Sequence, residues 1–487
     1  MLSGLIVFFV ALPLCLAIAF ASGAPLFSGI VSGILGGIVV GILSQSHVSV
    51  SGPAAGLTAI VLSSISTLGS FELFLTAVVL SGVLQLLLSM VKAGSISNYF
   101  PSNVIEGMLT GIGIMIMLKQ IPLAVGFHHD GKIDGNILDV IHSIDPGAAI
   151  VALISGLVLI CYSKILFLQN LKFLPGGLLV VLAGVAINEY FIQTGSSFVI
   201  DKIHLVHLPI PDRPMDIFSN ISHPDFSSWN NLQVWTVAFT IAMVASIESL
   251  LSLEAASKMD PLKRYAGGNR ELAAQGVGNI LSGLLGGLPM TSVIVRASAN
   301  VASGAKTKIS AISHGIFLLV AVMLIPHLLN KIPLAALASI LIMVGYRLAS
   351  PSVFLRMWKN GRFQFIPFVT TVVAVVFLDL LKGVAIGMVV SIVFILRGNM
   401  KRAYFLTREV HKEGTKIKIK LAQEVSFLNK AVIKKTLARL PVGAQIIIDA
   451  SDTIYIDHDV LELIDDFYKV GAREKNIIVE RVGFKVE

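Results

Sequence analysis

The chain has 487 residues, 55% hydrophobic and only 14% charged, with a mean hydropathy of +0.84. A soluble domain carries about 25% charged residues, so the composition excludes one and indicates a polytopic membrane protein. The net charge of +8 does not mark a nucleic-acid partner, because the basic residues flank apolar segments instead of forming one patch. The two cysteines, Cys15 and Cys161, both lie in apolar segments, which excludes a disulfide framework.

Leu2 to Ser22 is apolar from its first residue, with no basic n-region and no evident cleavage site, and reads as a retained first span. Apolar stretches of roughly 17–25 residues are span candidates. They are predicted near 2–22, 26–43, 72–91, 103–122, 147–165, 175–194, 232–256, 271–288, 309–326, 333–348, 364–380 and 383–398. Two more, near 47–66 and 288–305, are apolar but broken by Gly, Pro and Ser or Thr. Of the resulting 14 elements the broken ones are third and tenth, hence each third in a block of seven. Interrupted segments at matching positions in two halves are the signature of an inverted-repeat transporter.

With the N-terminus cytoplasmic, the inner junctions are the basic ones: Lys258, Lys263, Arg264 and Arg270 in one loop, Lys306 and Lys308 in another, Arg397, Lys401 and Arg402 at the end. The outer side is poorer, and His128 and His129 fall there as solvated loop residues. This is the positive-inside bias of a multi-pass inner (plasma) membrane protein. A membrane domain, 1–400, then gives way to a second domain, 403–487, on the cytoplasmic side. There "KIKIKLAQEVSFLNK" alternates like a strand, "AVIKKTLARL" has helical spacing, "AQIIIDASDTIYIDHDVLELIDDFY" reads as buried strand, turn and helix, and "NIIVERVGF" adds a strand.

The first broken segment, "HVSVSGPAAGLTAIV", begins with a β-like alternation and then reaches Ser51-Gly52-Pro53. Pro suits the first helical position with Ser or Gly before it as cap, so a helix is predicted to start at Pro53, inside the membrane. The second repeats the device with Gly286-Gly287-Leu288-Pro289, then Thr291 and Ser292 as cap candidates before Val293 to Val301. Helix ends at that depth are tolerable only around a cavity or ligand, and each carries roughly +0.5 of an elementary charge. Two of them, with Arg296 about one turn beyond Ser292, make a positive cavity that selects an anion. An ordinary kink would explain either proline alone; it does not explain the matched positions or the intramembrane arginine, which costs about 2.5–3.5 kcal/mol to insert.

"FTIAMVASIESLLSLEAASKMD" places Glu248 deep in the eighth span with Ser252 on the same helical face. Such a carboxylate is a candidate proton carrier or, with Ser252, a Na⁺ ligand; the structural alternative is a salt bridge with Arg296. Glu254, near the inner end, snorkels or meets the basic 258–270 loop, and Glu72 and Glu106 are interfacial. No nucleotide-binding loop, Ser-His-Asp set or Cys/His metal signature is evident, so no cofactor and no enzymatic activity are expected and any transport is secondary.

The ordered set "SGLIVFFVALPLCLAIAFASGAP", "SVSGPAAGLTAIV", "FPSNVIEGMLTGIGIMIMLKQ", "IESLLSLEAASKMD", "NRELAAQGVGNILSGLLGGLPMT" and "RASANVASGAKT" resembles the sulfate permease (SulP) family of inorganic anion transporters. The resemblance implies an all-α membrane domain of 14 transmembrane segments in a 7+7 inverted repeat. Its core and gate domains would be like those of uracil permeases, and a homodimer is expected. It places the anion against Ser51, Gly52, Pro53, Ala54 and Ala55 on one side and Met290, Thr291 and Ser292 on the other, with Arg296 supplying positive potential. Glu248 falls where relatives keep a cation-coupling carboxylate, for H⁺ or Na⁺. The C-terminal α/β segment resembles a STAS domain. Two departures stand out. Leu14 follows Pro13 where many relatives have glutamine, and His458 follows Asp457 where phosphorylatable STAS domains have serine. The final STAS helix is expected to be short or missing. The expected function is secondary transport of sulfate or bicarbonate by an elevator-like movement. A passive anion channel or exchanger of the same fold is the alternative; a nucleobase permease needs no arginine, and a membrane-tethered interaction protein needs no intramembrane charges.

Overall fold

Backbone amides in hydrocarbon have no partners except each other, so unbroken apolar runs become helices. A computed structural model describes residues 1–95, 101–127, 144–165, 175–209, 221–378, 380–401, 404–411 and 414–484. His128, His129 and Arg402 lie outside the described residues. The chain divides into two compact units, Met1–Arg356 with Thr371–Ala385, and Met357–Thr370 with Ile386–Glu487.

The first unit holds α1 (Leu2–Ala21), α2 (Leu26–Leu43), β1 (Ser51–Pro53), α3 (Thr58–Leu68), α4 (Phe71–Met90), α5 (Ser102–Ala124), α6 (Pro146–Lys164) and α7 (Gly176–Gln193). It continues with α8 (Leu232–Met259), α9 (Gly268–Leu284), β2 (Met290–Ser292), α10 (Ile294–Ala302), α11 (Ile309–Leu324) and α12 (Leu334–Leu348). Among the described residues, α1, α2, α4 to α8 and the run Leu334–Lys359 are long and apolar enough to cross a membrane. Ala55–Leu68, Ile309–Leu324 and Arg362–Phe377 are shorter apolar helices.

Two features position the middle of this unit. Helices α4 and α9 cross at Gly82 and Gly276, where a Cβ on either would come within 2.6–2.8 Å of the other's carbonyl oxygen. Small residues of this kind let helices pack backbone to backbone in a bilayer. The other feature overturns an expectation. Pro53 does not start a helix: Ser51–Pro53 is a strand, Ala54 is extended, a 3₁₀ turn covers Ala55–Leu57 and α3 begins at Thr58. Likewise Thr291 and Ser292 are not caps. They belong to β2, and α10 starts at Ile294 after an extended Val293 with no side-chain cap. The cause is mutual pairing. β1 and β2 run antiparallel with Ser51 opposite Ser292, Gly52 opposite Thr291 and Pro53 opposite Met290, and Val293 N donates to Val50 O at 3.0 Å. Each broken segment thus supplies some of the backbone partners that the other lacks.

The second unit contains a four-stranded sheet in the order β3 (Tyr404–His411), β4 (Gly414–Leu421), β6 (Gln445–Asp449), β8 (Ile478–Val482), antiparallel at β3–β4 and parallel thereafter. A short pair, β5 (Glu424–Val425) and β7 (Tyr455–Ile456), is separate. Helices Lys430–Ala438 and His458–Asp466 supply Ile433, Leu437, Val460 and Ile464 to a core shared with Ile417, Ile419, Ile446 and Ile448. Asp457 caps the second helix by accepting from Asp459 N at 3.1 Å.

Asp449 ends β6, bonded to Lys418 Nζ at 2.8 Å and to Ser451 N at 2.9 Å. The Lys418 ammonium, then the Ser451 groups, hold its carboxyl well below the ordinary 3.8. A depressed folded value means the contribution is complete above the unfolded value and is lost as pH falls through the folded one. Because Lys418 is half exposed, solvent screens much of the pair. Asp449→Asn should therefore cost only about 1 kcal/mol at neutral pH. Hydrogen exchange of the β4 and β6 amides in the full-length protein should show the difference at pH 7 and its disappearance in strong acid.

Candidate functional site

Among the described residues Arg296 is the largest fully buried side chain, at 0% exposure. It lies in the first turn of α10, and its side chain returns across β1. Nη2 donates to Pro53 O at 3.3 Å and to Cys15 Sγ at 3.4 Å. Nε and Nη1 have no hydrogen-bond partner, and among the described residues Arg296 forms no ion pair with any carboxylate. Gly52 makes room for it: a Cβ there would stand 1.9 Å from Nη1. An arginine inside a membrane protein is tolerated when paired, and here two of the three guanidinium nitrogens have no partner.

The predicted residues converge. Ser51 to Ala55 and Met290 to Ser292 occupy the paired strands and the turn after β1, and Arg296 follows directly. Their roles differ in detail. Ser51 is buried and its hydroxyl accepts from Gln275 Nε2 at 2.8 Å. Thr291 turns its hydroxyl to the neighbouring Ser292 carbonyl at 3.1 Å, whereas Ser292 shares its hydroxyl with Ser49. Met290 packs with Val40 and Ala274, and Ala54 belongs to the main apolar core.

Glu248 is brought to the same place from α8. Its carboxylate faces the turn Ala55–Leu57, where a Cβ on Gly56 would be 2.9 Å from Oε2. Among the described residues it makes no ion pair, so the salt bridge to Arg296 considered from sequence is not formed. Ser252, buried, sits one turn further along the helix. Ser249 Oγ, next to Glu248, accepts from Ser292 N at 3.3 Å. One helix thus touches both broken segments within two consecutive residues. Glu254 pairs with Lys258 at 2.6 Å and Glu106 with Arg356 at 2.6 Å, both at exposed positions.

Several contributors escaped sequence reasoning. Leu14 supplies no polar group after Pro13, but its neighbour Cys15 reaches Arg296. A buried polar scaffold on α9 holds the strands. Asn279 accepts from Met290 N at 2.7 Å and donates to Met290 O at 3.2 Å and to Gln85 Oε1 at 2.7 Å. Gln275 links Ser51 to Glu271 Oε1 at 2.8 Å, and Ser44 donates to the other oxygen of Glu271. His314, fully buried, leaves both ring nitrogens without side-chain partners. The spacing Glu271, Gln275, Asn279, one polar residue per turn within "NRELAAQGVGN", was the available signal for the scaffold. In the second unit, His458, Asp459 and Glu462 bring donor atoms within 4.8 Å of one another, but Asp459 is already held by Lys430 at 3.1 Å.

A family model described as the sulfate permease family matches residues 1–371. The chain belongs to the sulfate permease family. Among curated members, it is 26% identical over 421 residues to "Putative sulfate transporter YvdB" of Bacillus subtilis, covering 84% of this chain and 76% of that one. It is 25% identical over 402 residues to the bicarbonate transporter BicA of Picosynechococcus, covering 80% and 68%. The structure of the murine Solute Carrier 26 family member A9 anion transporter aligns with a TM-score of 0.74 at 16% identity, over all of this chain and 85% of that one. At that identity the likeness speaks for fold alone.

In this sulfate permease family member the strand pair depends on Asn279, at 0% exposure. Asn279→Ala strips Met290 of a donor and an acceptor and leaves Gln85 Oε1 short of one, each loss costing about 1–3 kcal/mol when buried. A lowered melting temperature of the detergent-purified protein is expected, while Asn279→Asp should recover part of it by keeping the acceptor for Met290 N.

Proposed function

We propose that the protein is a secondary active transporter of a small inorganic oxyanion, sulfate or bicarbonate, coupled to H⁺ or Na⁺. The observation that carries this is the buried Arg296 guanidinium with Nε and Nη1 unpartnered. A charge in that setting is destabilising unless a counter-charge joins it, and a mobile anion is a counter-charge that can leave. Ser51 to Ala55 and Met290 to Ser292 would line the anion, with the start of α10, which has no side-chain cap, adding positive potential. Glu248, beside Gly56 and without a cation, would take the coupling proton or, with Ser252, Na⁺. Glu248 borders the turn that follows β1, next to the proposed anion site, so one rigid movement would carry both ions.

The rest of the reading follows the family. The antiparallel pairing of β1 with β2 is what two halves of opposite orientation would produce at their third elements. We read the membrane part, 1–400, as 14 spans in a 7+7 inverted repeat, and the α/β segment 403–487 as a STAS domain. The N-terminus and the STAS domain would be cytoplasmic, two copies would assemble as a homodimer, and the core would shift like an elevator against the gate. The names of relatives such as the bicarbonate transporter BicA support the substrate class.

At an effective dielectric near 20, one charge about 6 Å from a monoanion is worth roughly 3 kcal/mol before desolvation. Arg296→Ala should therefore weaken sulfate or bicarbonate binding tenfold or more, and Arg296→Lys should keep part of it, because a point charge survives without the planar fork. Unchanged affinity in Arg296→Ala, measured by isothermal titration, would move the site elsewhere.

Coupling is tested separately in liposomes. Glu248→Gln keeps the shape and removes the charge, so it should still exchange anion but lose accumulation driven by a pH or Na⁺ gradient. Ser252→Ala should behave alike only where the ion is Na⁺, because a proton needs no second oxygen ligand. Concentrative uptake by Glu248→Gln at the unmodified rate would make Glu248 structural and favour a passive channel or an exchanger.

A further inference from the structure

Away from the strand pair, a cavity of 910 Å³ opens among the ends of α4 and α8 and the start of α9. Five side-chain cations line it: Lys92, Lys258, Lys263, Arg264 and Arg270. The acids nearby do not balance them. Glu254 is the acidic residue in the lining and pairs with Lys258 at 2.6 Å, while Asp260 is held by Arg264 at 2.8 Å. The Lys92 side chain has no ion pair or hydrogen bond among the described residues, and the Lys263 side chain has only the Lys258 carbonyl at 2.5 Å. Arg270 donates Nε to Leu43 O at 3.1 Å, its one bond among the described residues.

The backbone there is unusual as well. Three non-glycine residues among those described have positive φ, and two of them are Lys92 at 59° and Lys263 at 52°, both in this lining. The left-handed region is disfavoured for a side chain with a Cβ, and such strain concentrates where a chain is held for a purpose. On the same connection, Leu262 is 60% and Tyr265 88% exposed. Basic residues beside an exposed aromatic and an exposed aliphatic group are the composition of a membrane-interface anchor.

We propose that this cavity binds a phosphate-bearing anion, supplied by the headgroup of an anionic lipid. The phosphate would sit among Lys92, Lys258, Lys263 and Arg270, while Leu262 and Tyr265 enter the headgroup layer next to it. Arg264 acts differently: its guanidinium fastens Asp260 and the Lys306 carbonyl, at 2.9 Å, and so shapes the loop. The cavity is distinct from the Arg296 region, and its occupancy does not depend on which ion the protein transports.

The test uses the full-length purified protein and two measurements, native mass spectrometry for retained lipid and the melting temperature on adding ligand. The probes are short-chain phosphatidylglycerol, cardiolipin, phosphatidylcholine and inorganic pyrophosphate. The two anionic lipids should bind and stabilise, and phosphatidylcholine should not. Lys92→Gln/Lys258→Gln/Lys263→Gln should weaken the anionic lipids roughly tenfold or more, since each near-surface cation contributes to headgroup attraction. The corresponding triple change to Arg should restore them. Lys92→Gln alone, at a side chain with no described partner, serves if the triple variant fails to fold, and should also weaken them. Equal lipid binding in wild-type and variant proteins would overturn the proposal. Binding of pyrophosphate but not of the lipids would overturn the lipid as source, and a fall in anion uptake that is equal in phosphatidylcholine and phosphatidylglycerol vesicles would make the cavity an entry vestibule instead.

Discussion

A chain that leaves the helical conformation within a bilayer must find backbone partners there, and the rest of the first unit is arranged around that need. β1 and β2 satisfy part of it for each other, Val293 to Val50 extends the ladder, and Asn279, Ser249 and Arg296 bond the outward-facing groups of Met290, Ser292 and Pro53. Neither segment could hold this conformation alone, because each would leave N–H and C=O groups without water or protein partners. The pairing also explains why the helices begin late. Extended backbone carries the chain to Ala54 and Val293, and only then do α3 and α10 start.

Three helices lock the pair from outside. Helix α9 presents Asn279 to Met290 and Gln275 to Ser51, and its close crossing with α4 through Gly82 and Gly276 brings Gln85 to Asn279. Helix α8 adds Ser249 on Ser292 and sets the Glu248 carboxylate against the turn that follows β1. Buried networks of this kind are stabilising only when their members are satisfied. Against that background the open atoms of Arg296 stand out, since they carry a charge and sit beside a strand pair whose side-chain hydroxyls all have partners. The same contrast separates Arg296 from Arg264, a partly exposed arginine whose bonds to Asp260 and Lys306 make it a loop fastener.

The sheet of the second unit follows a different pattern, the two-residue alternation of strands with one face in a core. Its strands alternate buried isoleucines with charged residues, so that Ile417 and Ile419 enter the core while Lys418 reaches Asp449 at the end of β6. The parallel β4–β6–β8 arrangement requires a crossover between successive strands, and helices Lys430–Ala438 and His458–Asp466 provide the apolar faces that cover it.

From sequence, the apolar runs located the helices to within a few residues, because span length and hydropathy are local properties. The interruptions at Pro53 and Pro289, with Arg296 and Glu248 in apolar surroundings, marked where polar chemistry lies, because charge at that depth has few bland explanations. What sequence could not supply was the state of the broken segments. Local preference put a helix start at Pro53 and caps at Thr291 and Ser292. The strand pair prevailed because its hydrogen bonds join residues more than two hundred positions apart, and no window along the chain contains both partners. The same distance hid the Cys15 contact, the Gln275 and Asn279 anchors and the absence of an ion pair between Glu248 and Arg296. Composition decided that the residues would be buried; only the packing of α1, α8, α9 and the two strands decided which of their polar atoms would find partners, because a hydrogen bond is settled by atoms within about 3 Å of each other.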